Sequence, residues 1–152
     1  MPLVRVDAKD FPAAIREHFR RAGEDLRLAA LDTAHRGAAE GTTIAKRENV
    51  VDRGNYIRGF RVIDGREVEL RNDAPHSVYV EHGRRPGAPG PPVEPIRGWV
   101  KRKLGITDER VVFAIRRKIH ERGIAPRWIL YRVTERMKVW FRAEVERRLG
   151  GR

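Results

Sequence analysis

The chain has 152 residues, of which 40% are hydrophobic and 36% are charged. This length predicts one domain, over residues 1–152, with a single modest core. No run approaches the roughly 20 apolar residues that a membrane span needs, and the first residues lack the apolar segment of a secretory signal. Because the chain has no cysteine, disulfides, thiolate catalysis and cysteine-ligated zinc are excluded. We expect no membrane contact and, by default, a cytoplasmic location.

The formal net charge of +12 comes mainly from arginine, with 27 Arg against 6 Lys. A positive field of this size favours polyanions such as nucleic acid, or an acidic protein surface. A coding bias toward arginine would produce much of the same excess. The charge therefore indicates a class of partner without selecting one.

A long helix is predicted from residue 10 to about residue 38. Asp10 is a suitable N-cap, and Pro12 fits the first turn. Gly41 and the polar residues after it mark the end, and residues 42–55 are predicted to form a long, mobile connection. Seven positions recur at the spacing of one helical face: Phe11, Ile15, Phe19, Ala22, Leu26, Ala29 and Thr33.

A β-hairpin is predicted next, in the stretch "FRVIDGREVEL". Its centre, Asp64-Gly65, indicates a two-residue type I′ turn, in which both residues take positive φ angles. Alternation in the two flanking strands predicts matching apolar faces, formed by Phe60, Val62, Val68 and Leu70.

The stretch "NDAPHSVYVEHG" has two interpretations. The alternation of Val78 and Val80 fits a third strand. Pro75 near its start and Gly83 just past its end instead indicate a short helix, which we favour. Residues 83–94 contain too much Gly and Pro for a regular element and are predicted to form a second mobile segment.

Three more helices are predicted in the remaining third of the chain. The first lies in "PIRGWVKRKLG". Thr107 caps the second, which ends at Gly123, and Pro126 opens the last, which ends at Gly150. The fold class is therefore α+β: a small antiparallel sheet with a β-hairpin packed against two long helices, plus two short helices.

The residues that suggest catalysis or metal binding also have structural explanations. His76 and His82 flank Glu81, but six residues on a helix point two side chains in different directions, whereas a helical zinc pair needs an i, i+4 spacing. No nucleophile elbow or phosphate-binding loop is present, and the acidic residues are scattered. The sequence predicts no enzyme, no catalytic residue, no metal site and no cofactor. A hydrolase built on the three residues stays as a remote alternative.

Residues 84–122 carry eleven basic against four acidic side chains, a local charge of +7. Such a region could bind DNA phosphates, but the solvent-exposed faces of amphipathic helices have the same charge pattern. Trp99, Trp128 and Phe141 fall on or beside apolar stripes and are predicted to be core, so no exposed aromatic residue is expected among the cations. Loose attraction to a nucleic-acid backbone stays open.

The order of motifs resembles a known family. "VVDRGNYIRGFRV" is similar to "V-D-T-G-x-L-x-x-S", and "NDAPHSVYVEHGRRPG" is similar to "N-x-A-P-Y-A-x-Y-V-E-x-G-T-R". These two consensus patterns are those of the HK-type minor phage tail component family, which includes tail completion proteins comparable to protein Z of phage lambda. The resemblance covers nearly the whole chain and is strongest from Val51 to Leu130. Four residues depart from the pattern: Arg53, His76, Ser77 and Arg84 stand where Thr, Tyr, Ala and Thr are usual.

The resemblance implies a virion protein of the tail or neck, assembled in the bacterial host cytoplasm. It implies a ring between a head-closure protein and a tail terminator or tail tube protein, completing the tail for head joining. Sixfold symmetry is expected from tail architecture rather than from any residue. Genomic DNA would pass through the lumen, which gives the positive charge a target. The competing function is a nonspecific nucleic-acid-binding module that uses residues 84–122.

Two sets of residues are the candidates for these roles. Tyr79 and Val80 are expected to anchor the short helix to the sheet or the long helices. Glu81 is expected to pair with an arginine, locally or across subunits, and Gly83 to let the chain turn. The assembly-interface candidates are Tyr79, Glu81, Gly83, Arg84 and Arg85. The DNA-channel candidates are Arg84, Arg85, Arg97, Lys101, Arg102 and Lys103.

Overall fold

The computed structural model describes residue 9 and residues 12–50 and 53–150. Within these ranges the chain is mostly helical, with one two-stranded antiparallel sheet, and the predicted α+β class is confirmed. The elements in chain order are α1 (Ala13–Arg47), α2 (Asn55–Arg58), β1 (Phe60–Asp64), β2 (Val68–Asn72), α3 (Ser77–His82), α4 (Val93–Leu104), α5 (Glu109–Arg122) and α6 (Ile129–Leu149).

Helix α1 continues well past its predicted end. Gly41 does not stop it, because this glycine is buried in the helix and faces β1: a Cβ there would lie 2.5 Å from the Phe60 ring. Gly37 is likewise buried, where a Cβ would meet Met137 and Leu70. Both glycines permit close packing rather than ending the helix. The predicted N-cap, Asp10, lies outside the described residues.

The predicted hairpin is present, but its predicted turn is wrong. Asp64 pairs with Val68, so the loop has three residues, 65–67, and neither Asp64 nor Gly65 takes a positive φ angle. A two-residue loop would set Val62 opposite Glu67 and separate the apolar residues of the two strands. The three-residue loop instead sets Val62 opposite Leu70, which confirms the predicted shared face.

The main core lies where α1, the hairpin and α6 meet. Helices α1 and α6 run antiparallel, as shown by ion pairs that join Glu48 to Arg132 and Asp32 to Arg148. Between these ends the Arg36 guanidinium lies 4.0 Å from the centre of the Trp140 ring. The buried residues of this cluster are Ile44, Ala45, Tyr56, Ala74, Ile129 and Val133.

A second, smaller apolar cluster joins α4 to α5. Its buried residues are Ile96, Val100 and Val112. Asp108, not the predicted Thr107, caps α5, because its carboxylate accepts a hydrogen bond from the Arg110 backbone N–H at 2.9 Å. Gly123 follows the end of α5, as predicted.

The other boundaries are partly as predicted. The third-strand interpretation of "NDAPHSVYVEHG" is wrong, and the predicted short helix is α3. Helix α6 begins at Ile129 rather than at Pro126, and Gly150 is its C-cap.

The two segments predicted to be mobile contain more structure than expected. Residues 42–47 belong to α1 and residues 55–58 form α2, so 42–55 is not one long connection. Residues 83–92 form a loop, and residues 93–94 already belong to α4. The loop is held to α5, since the Gly87 N–H donates to the His120 carbonyl at 2.7 Å and the Arg116 Nε donates to the Pro91 carbonyl at 3.0 Å. Mobility stays a prediction, and it would require breaking these bonds.

The last turn of α6 predicts a specific acid response. Hydrogen bonds from Arg147 and then Arg148 lower the pKa of Glu144 from 4.5 to about 2. Because the folded pKa is depressed, this stabilisation is present above about pH 4.5 and is lost as the pH falls toward 2. Glu144→Gln should lower the Tm by about 1–2 °C at pH 7, and this difference should vanish near pH 2. Thermal unfolding followed by circular dichroism measures both.

Glu146→Gln is the matched control for this prediction. Glu146 is exposed on the same helix, and its side chain forms no ion pair within the described ranges. It should leave the Tm unchanged at both pH values. A Glu144→Gln difference that persists at pH 2 would contradict the assignment.

Candidate assembly surface

Glu81 joins α3 to the first turn of α6. Its side chain is buried, with 7% of the residue exposed. Oε2 accepts a hydrogen bond from the Leu130 N–H and Oε1 accepts one from the Tyr131 N–H, both at 2.9 Å. These N–H groups have no partner within their own helix, and a negative charge is favourable at a helix N-terminus. Glu81 therefore caps α6, and the predicted local pairing with an arginine is wrong. Pairing across subunits stays a prediction.

Backbone hydrogen bonds beside Glu81 strengthen the same contact between the end of α3 and the start of α6, here called the joint. The Arg127 N–H donates to the Val80 carbonyl at 2.8 Å, and the Trp128 N–H donates to the Glu81 carbonyl at 3.3 Å. Val80 itself packs against the main core. The end of α3 and the start of α6 are thus held by main-chain and side-chain bonds together.

Two glycines let the chain leave this joint. Gly83 and Gly123 have φ angles of +68° and +72°. Between them Arg84 and Ile124 exchange two backbone hydrogen bonds, at 2.8 and 2.9 Å. A Cβ on Gly83 would lie 2.3 Å from the Ile124 carbonyl oxygen, and one on Gly123 would lie 2.2 Å from the Arg84 carbonyl oxygen. Only glycine fits both sites, which confirms that Gly83 permits the turn.

An exposed cluster of rings, here called the aromatic patch, consists of His82, Trp128 and Tyr131. The His82 and Trp128 ring centres are 5.3 Å apart and the Trp128 and Tyr131 centres 6.4 Å apart, both edge to face. Trp128 is 44% exposed and Tyr131 60% exposed. The prediction that Trp128 belongs to the core is wrong, and so is the same prediction for Trp99 and Phe141, which are 39% and 38% exposed.

The backbone of Trp128 is strained. Its φ and ψ angles are 52° and 40°, in the left-handed region that costs a residue with a side chain roughly 1–2 kcal/mol. The conformation is held by the bond to Glu81 and by the Arg132 N–H, which donates to the Trp128 carbonyl at 3.0 Å. Sequence reasoning missed the patch because its three residues come from two helices.

Tyr79 does not anchor α3 as predicted, and the two neighbouring arginines have different surroundings. Tyr79 is 49% exposed, so it does not anchor α3 in the core. The Arg84 guanidinium lies 5.2 Å from the centre of its ring and also donates to the Pro89 carbonyl. Arg84 therefore folds back on its own loop, whereas Arg85 is exposed.

The DNA-channel candidates on α4 do not all share one face of the helix. Arg97 bridges Glu94 and Glu109, and this contact holds the pKa of Glu109 below its usual range. Lys101, Arg102 and Lys103 are exposed, but consecutive helical residues point about 100° apart.

Within the predicted basic region 84–122, sequence reasoning missed a groove and an exposed ring on α5. An open groove of about 670 Å³ runs along the outer side of α5. Phe113, 53% exposed, lines it between turns that carry cationic side chains. The charged or ionisable residues that line it are Arg110, Arg116, Arg117 and His120. The expectation that no exposed aromatic residue lies among the cations is wrong for this helix.

The three residues of the metal hypothesis have separate surroundings. Both Glu81 oxygens accept backbone N–H groups, His82 packs on Trp128, and the His76 ring lies 6.1 Å from that of Tyr56. In residues 12–50 and 53–150, no group of three or more His, Asp and Glu side chains is arranged to hold a metal ion. Over the same ranges, no helix is long and apolar enough to cross a membrane.

The chain matches no protein-family model, no curated protein and no solved structure. The resemblance to tail completion proteins therefore rests on its sequence motifs.

The buried hydroxyl of Tyr56 gives a prediction about stability. The Tyr56 Oη is buried with no hydrogen-bond partner among the described residues, and burial, followed by the Glu81 charge, raises its pKa above the usual range. Tyr56→Phe removes this polar atom and keeps the ring. We expect the free energy of unfolding to rise by about 0.5–1 kcal/mol in urea denaturation. A loss of more than about 1 kcal/mol would show that the hydroxyl has a partner.

Proposed function

We propose that the protein is a structural component of the head–tail junction of a long-tailed phage or phage-like particle. Copies of it would form a ring between a head-closure protein and a tail terminator or tail tube protein, and complete the tail for head joining. The observation that carries the proposal is the aromatic patch, held at a joint fixed by Glu81 and two glycines. The motifs from Val51 to Leu130 support it.

The patch has the properties of a protein-binding surface. Tyr and Trp are enriched at interface centres because a large ring contributes contact area with few rotatable bonds. A rigid mount lowers the entropy lost on binding. The Glu81 carboxylate and the Trp128 backbone hold the rings in place, since they fix the residue at which α6 starts.

The position in the particle follows from the same proposal. The protein would assemble in the bacterial host cytoplasm and reside in the virion neck, with genomic DNA passing through the ring. Arg85, Lys101 and Lys103 are exposed and are the candidates to face that DNA. Arg84 and Arg97 are less suitable, because each already contacts groups of its own chain.

Assembly with candidate neighbours tests the proposal. The isolated protein is mixed with the head-closure and tail-terminator proteins of the same particle, and masses are measured by mass photometry. We expect species larger than a dimer that contain the protein in multiple copies. A protein that ignores both neighbours would contradict the proposal.

A Trp128→Gly variant links assembly to the patch. Glycine accepts the left-handed angles at this position, so the variant removes the indole without adding backbone strain. We expect assembly to weaken about tenfold or more. The control is Phe113→Ala, which removes an exposed ring from α5 and should assemble like the parent.

A second candidate function is nonspecific nucleic-acid binding, favoured by the groove along α5. Stacking of bases on an exposed ring, with cations on the phosphates, is the usual mode of single-strand binding. Phe113 supplies the ring. Arg110 pairs with Asp108 and Arg117 lies 3.8 Å from Glu121, but their side chains stay 92% and 76% exposed.

Salt dependence distinguishes this candidate from the first. Fluorescence anisotropy with a labelled single-stranded oligonucleotide should show an affinity that falls steeply with salt. Arg117→Ala should flatten this slope by about one unit, and Phe113→Ala should weaken binding at every salt concentration. Arg142→Ala removes the same charge from α6 and is the control. Equal effects of Arg117→Ala and Arg142→Ala would argue against a site in the groove.

A further inference from the structure

The first 14 residues of α1, residues 13–26, form what is here called the N-terminal arm. The buried residues of α1 begin only at Ala29. The last turn of α6 lies beside Asp32, through its ion pair with Arg148, and the hairpin turn reaches Arg27 through Asp64. At 1.5 Å per residue, the arm extends about 20 Å beyond these contacts.

The arm carries an apolar stripe that is exposed. Ile15 and Leu26 are each 41% exposed and Phe19 is 63% exposed, with Ala22 between them. The stripe points in the same direction as Ala29, since the spacing of 4, 3, 4 and then 3 residues keeps one helical face. It therefore continues the face that packs on α6 and the hairpin in the second half of α1.

The arm differs from the rest of the chain in charge. Three arginines oppose three acidic residues between residues 13 and 26, so the arm is neutral in a chain of formal charge +12. Arg20 and Arg21 pair with Glu17 at 2.7 Å, and Arg20 also contacts Glu24. A second copy of this chain would be repelled elsewhere on its surface, but not by the arm.

The stripe is complementary to itself when reversed. In an antiparallel pair of arms, two residues lie opposite each other when their numbers add to about 41. Ile15 then faces Leu26, and Phe19 faces Ala22. In one layer the large Phe19 ring packs on the small Ala22, and in the other Ile15 packs on Leu26, which is of similar size. Such layers are found in antiparallel coiled coils. The 4-3-4 spacing is that of the a and d positions of a heptad.

We propose that two copies of this chain pair through their N-terminal arms, antiparallel, with the apolar stripe as the shared seam. Such a contact uses the same surface on both copies and closes at two. Because 14 residues bury less than the roughly 800 Å² per partner of a standard interface, the dimer should be weak, with a Kd of about 1–100 µM. The pairing concerns the isolated protein and does not depend on the proposed function.

Sedimentation equilibrium of the purified full chain tests the pairing. We expect a reversible monomer–dimer equilibrium in which Phe19→Ala raises the Kd about tenfold or more, because the ring is lost from both copies. Alanine is a better helix former than phenylalanine, so α1 itself should persist, as checked by circular dichroism. A monomer at all concentrations up to about 200 µM overturns the proposal.

Leu28→Ala is the matched control. Leu28 is 46% exposed on the same helix but points about 150° away from the stripe. It should leave the Kd unchanged. Equal weakening by Leu28→Ala and Phe19→Ala would overturn the seam. So would a chain that is monomeric alone but whose stripe is covered by a head-closure or tail-terminator protein.

Cysteine trapping tests the direction of pairing. The natural chain has no cysteine, so an Ile15→Cys variant and a Leu26→Cys variant each carry one thiol. In the antiparallel pair, like positions are separated by about 16 Å, too far for a disulfide, whereas position 15 faces position 26. Under mild oxidation we expect cross-links in the mixture of the two variants and almost none in either alone. Cross-linking of each variant with itself would indicate parallel pairing and overturn the proposal.

Discussion

Glu81→Ala should lower the free energy of unfolding by about 2–4 kcal/mol, measured by urea denaturation. The substitution leaves the Leu130 and Tyr131 N–H groups without their acceptors at the start of α6. It also removes a negative charge from the N-terminus of a 21-residue helix. Hydrogen bonds to a charged group are stronger than neutral ones, so both losses act in the same direction.

Glu81→Gln separates the charge from the shape of the side chain. Its amide has one oxygen, so one backbone N–H keeps an acceptor and the other faces an NH₂ group. We expect an intermediate loss of about 1–2 kcal/mol. Glu69→Ala, on an exposed position of β2, should change stability by less than about 0.5 kcal/mol. A Glu81→Ala variant as stable as the Glu69→Ala variant would show that the cap has no energetic role.

Gly83→Ala should destabilise the fold by about 3 kcal/mol or more. Two costs combine at this position. The φ angle of +68° disfavours any residue with a Cβ, and that Cβ would lie 2.3 Å from the Ile124 carbonyl oxygen and 2.7 Å from the Pro126 nitrogen. Both neighbours are backbone atoms, so the clash can be relieved only by separating the two segments that form the joint.

Gly87→Ala measures the first cost alone. Gly87 has a φ angle of +76°, but a Cβ there would meet nothing within 4 Å among the described residues. We expect a loss of about 1 kcal/mol, the cost of the left-handed conformation. The difference between the two variants in urea denaturation then gives the cost of the steric contact. Equal losses would mean that the segments around Gly83 separate easily.

The joint and the aromatic patch are mechanically linked, and this affects how the variants should be interpreted. Glu81 holds both the backbone of Trp128 and the first turn that carries Tyr131. Loss of the carboxylate cap should therefore weaken assembly indirectly, by releasing the turn that carries Tyr131, while the main-chain bond from Trp128 to the Glu81 carbonyl stays. Trp128→Gly removes one ring while the cap stays in place. Comparison of the two variants distinguishes a positioning effect from loss of the contacting ring.

Several features of the fold are readable from the residues because they depend on local chemistry. The alternation around Val62 and Leu70 indicates two strands with a shared face, since side chains in a strand alternate between faces. Gly123 and Gly150 end their helices as expected. The α+β class follows from such local patterns, because periodicities of 2.0 and 3.6 residues are properties of single segments.

Other features were decided only by packing between distant segments. Gly41 resembles a helix terminator, but it lies inside α1 because Phe60 needs the space that its missing side chain leaves. Asp64-Gly65 resembles a type I′ turn, but a two-residue loop would have placed Val62 opposite Glu67 rather than Leu70. In both cases burial of apolar surface outweighs a local preference worth about 1 kcal/mol.

The features of the candidate site also fall into two groups, those set by local sequence and those set by tertiary packing. By itself the sequence determined the short helix of "YVEHG", the requirement for glycine at Gly83 and the surplus of arginine. Only the tertiary structure decided that Glu81 caps α6, 49 residues further on, and that His82 lies beside Trp128. The physical reason is that conformational preferences act over a few residues, whereas a buried carboxylate takes whichever donors the packed helices bring to it.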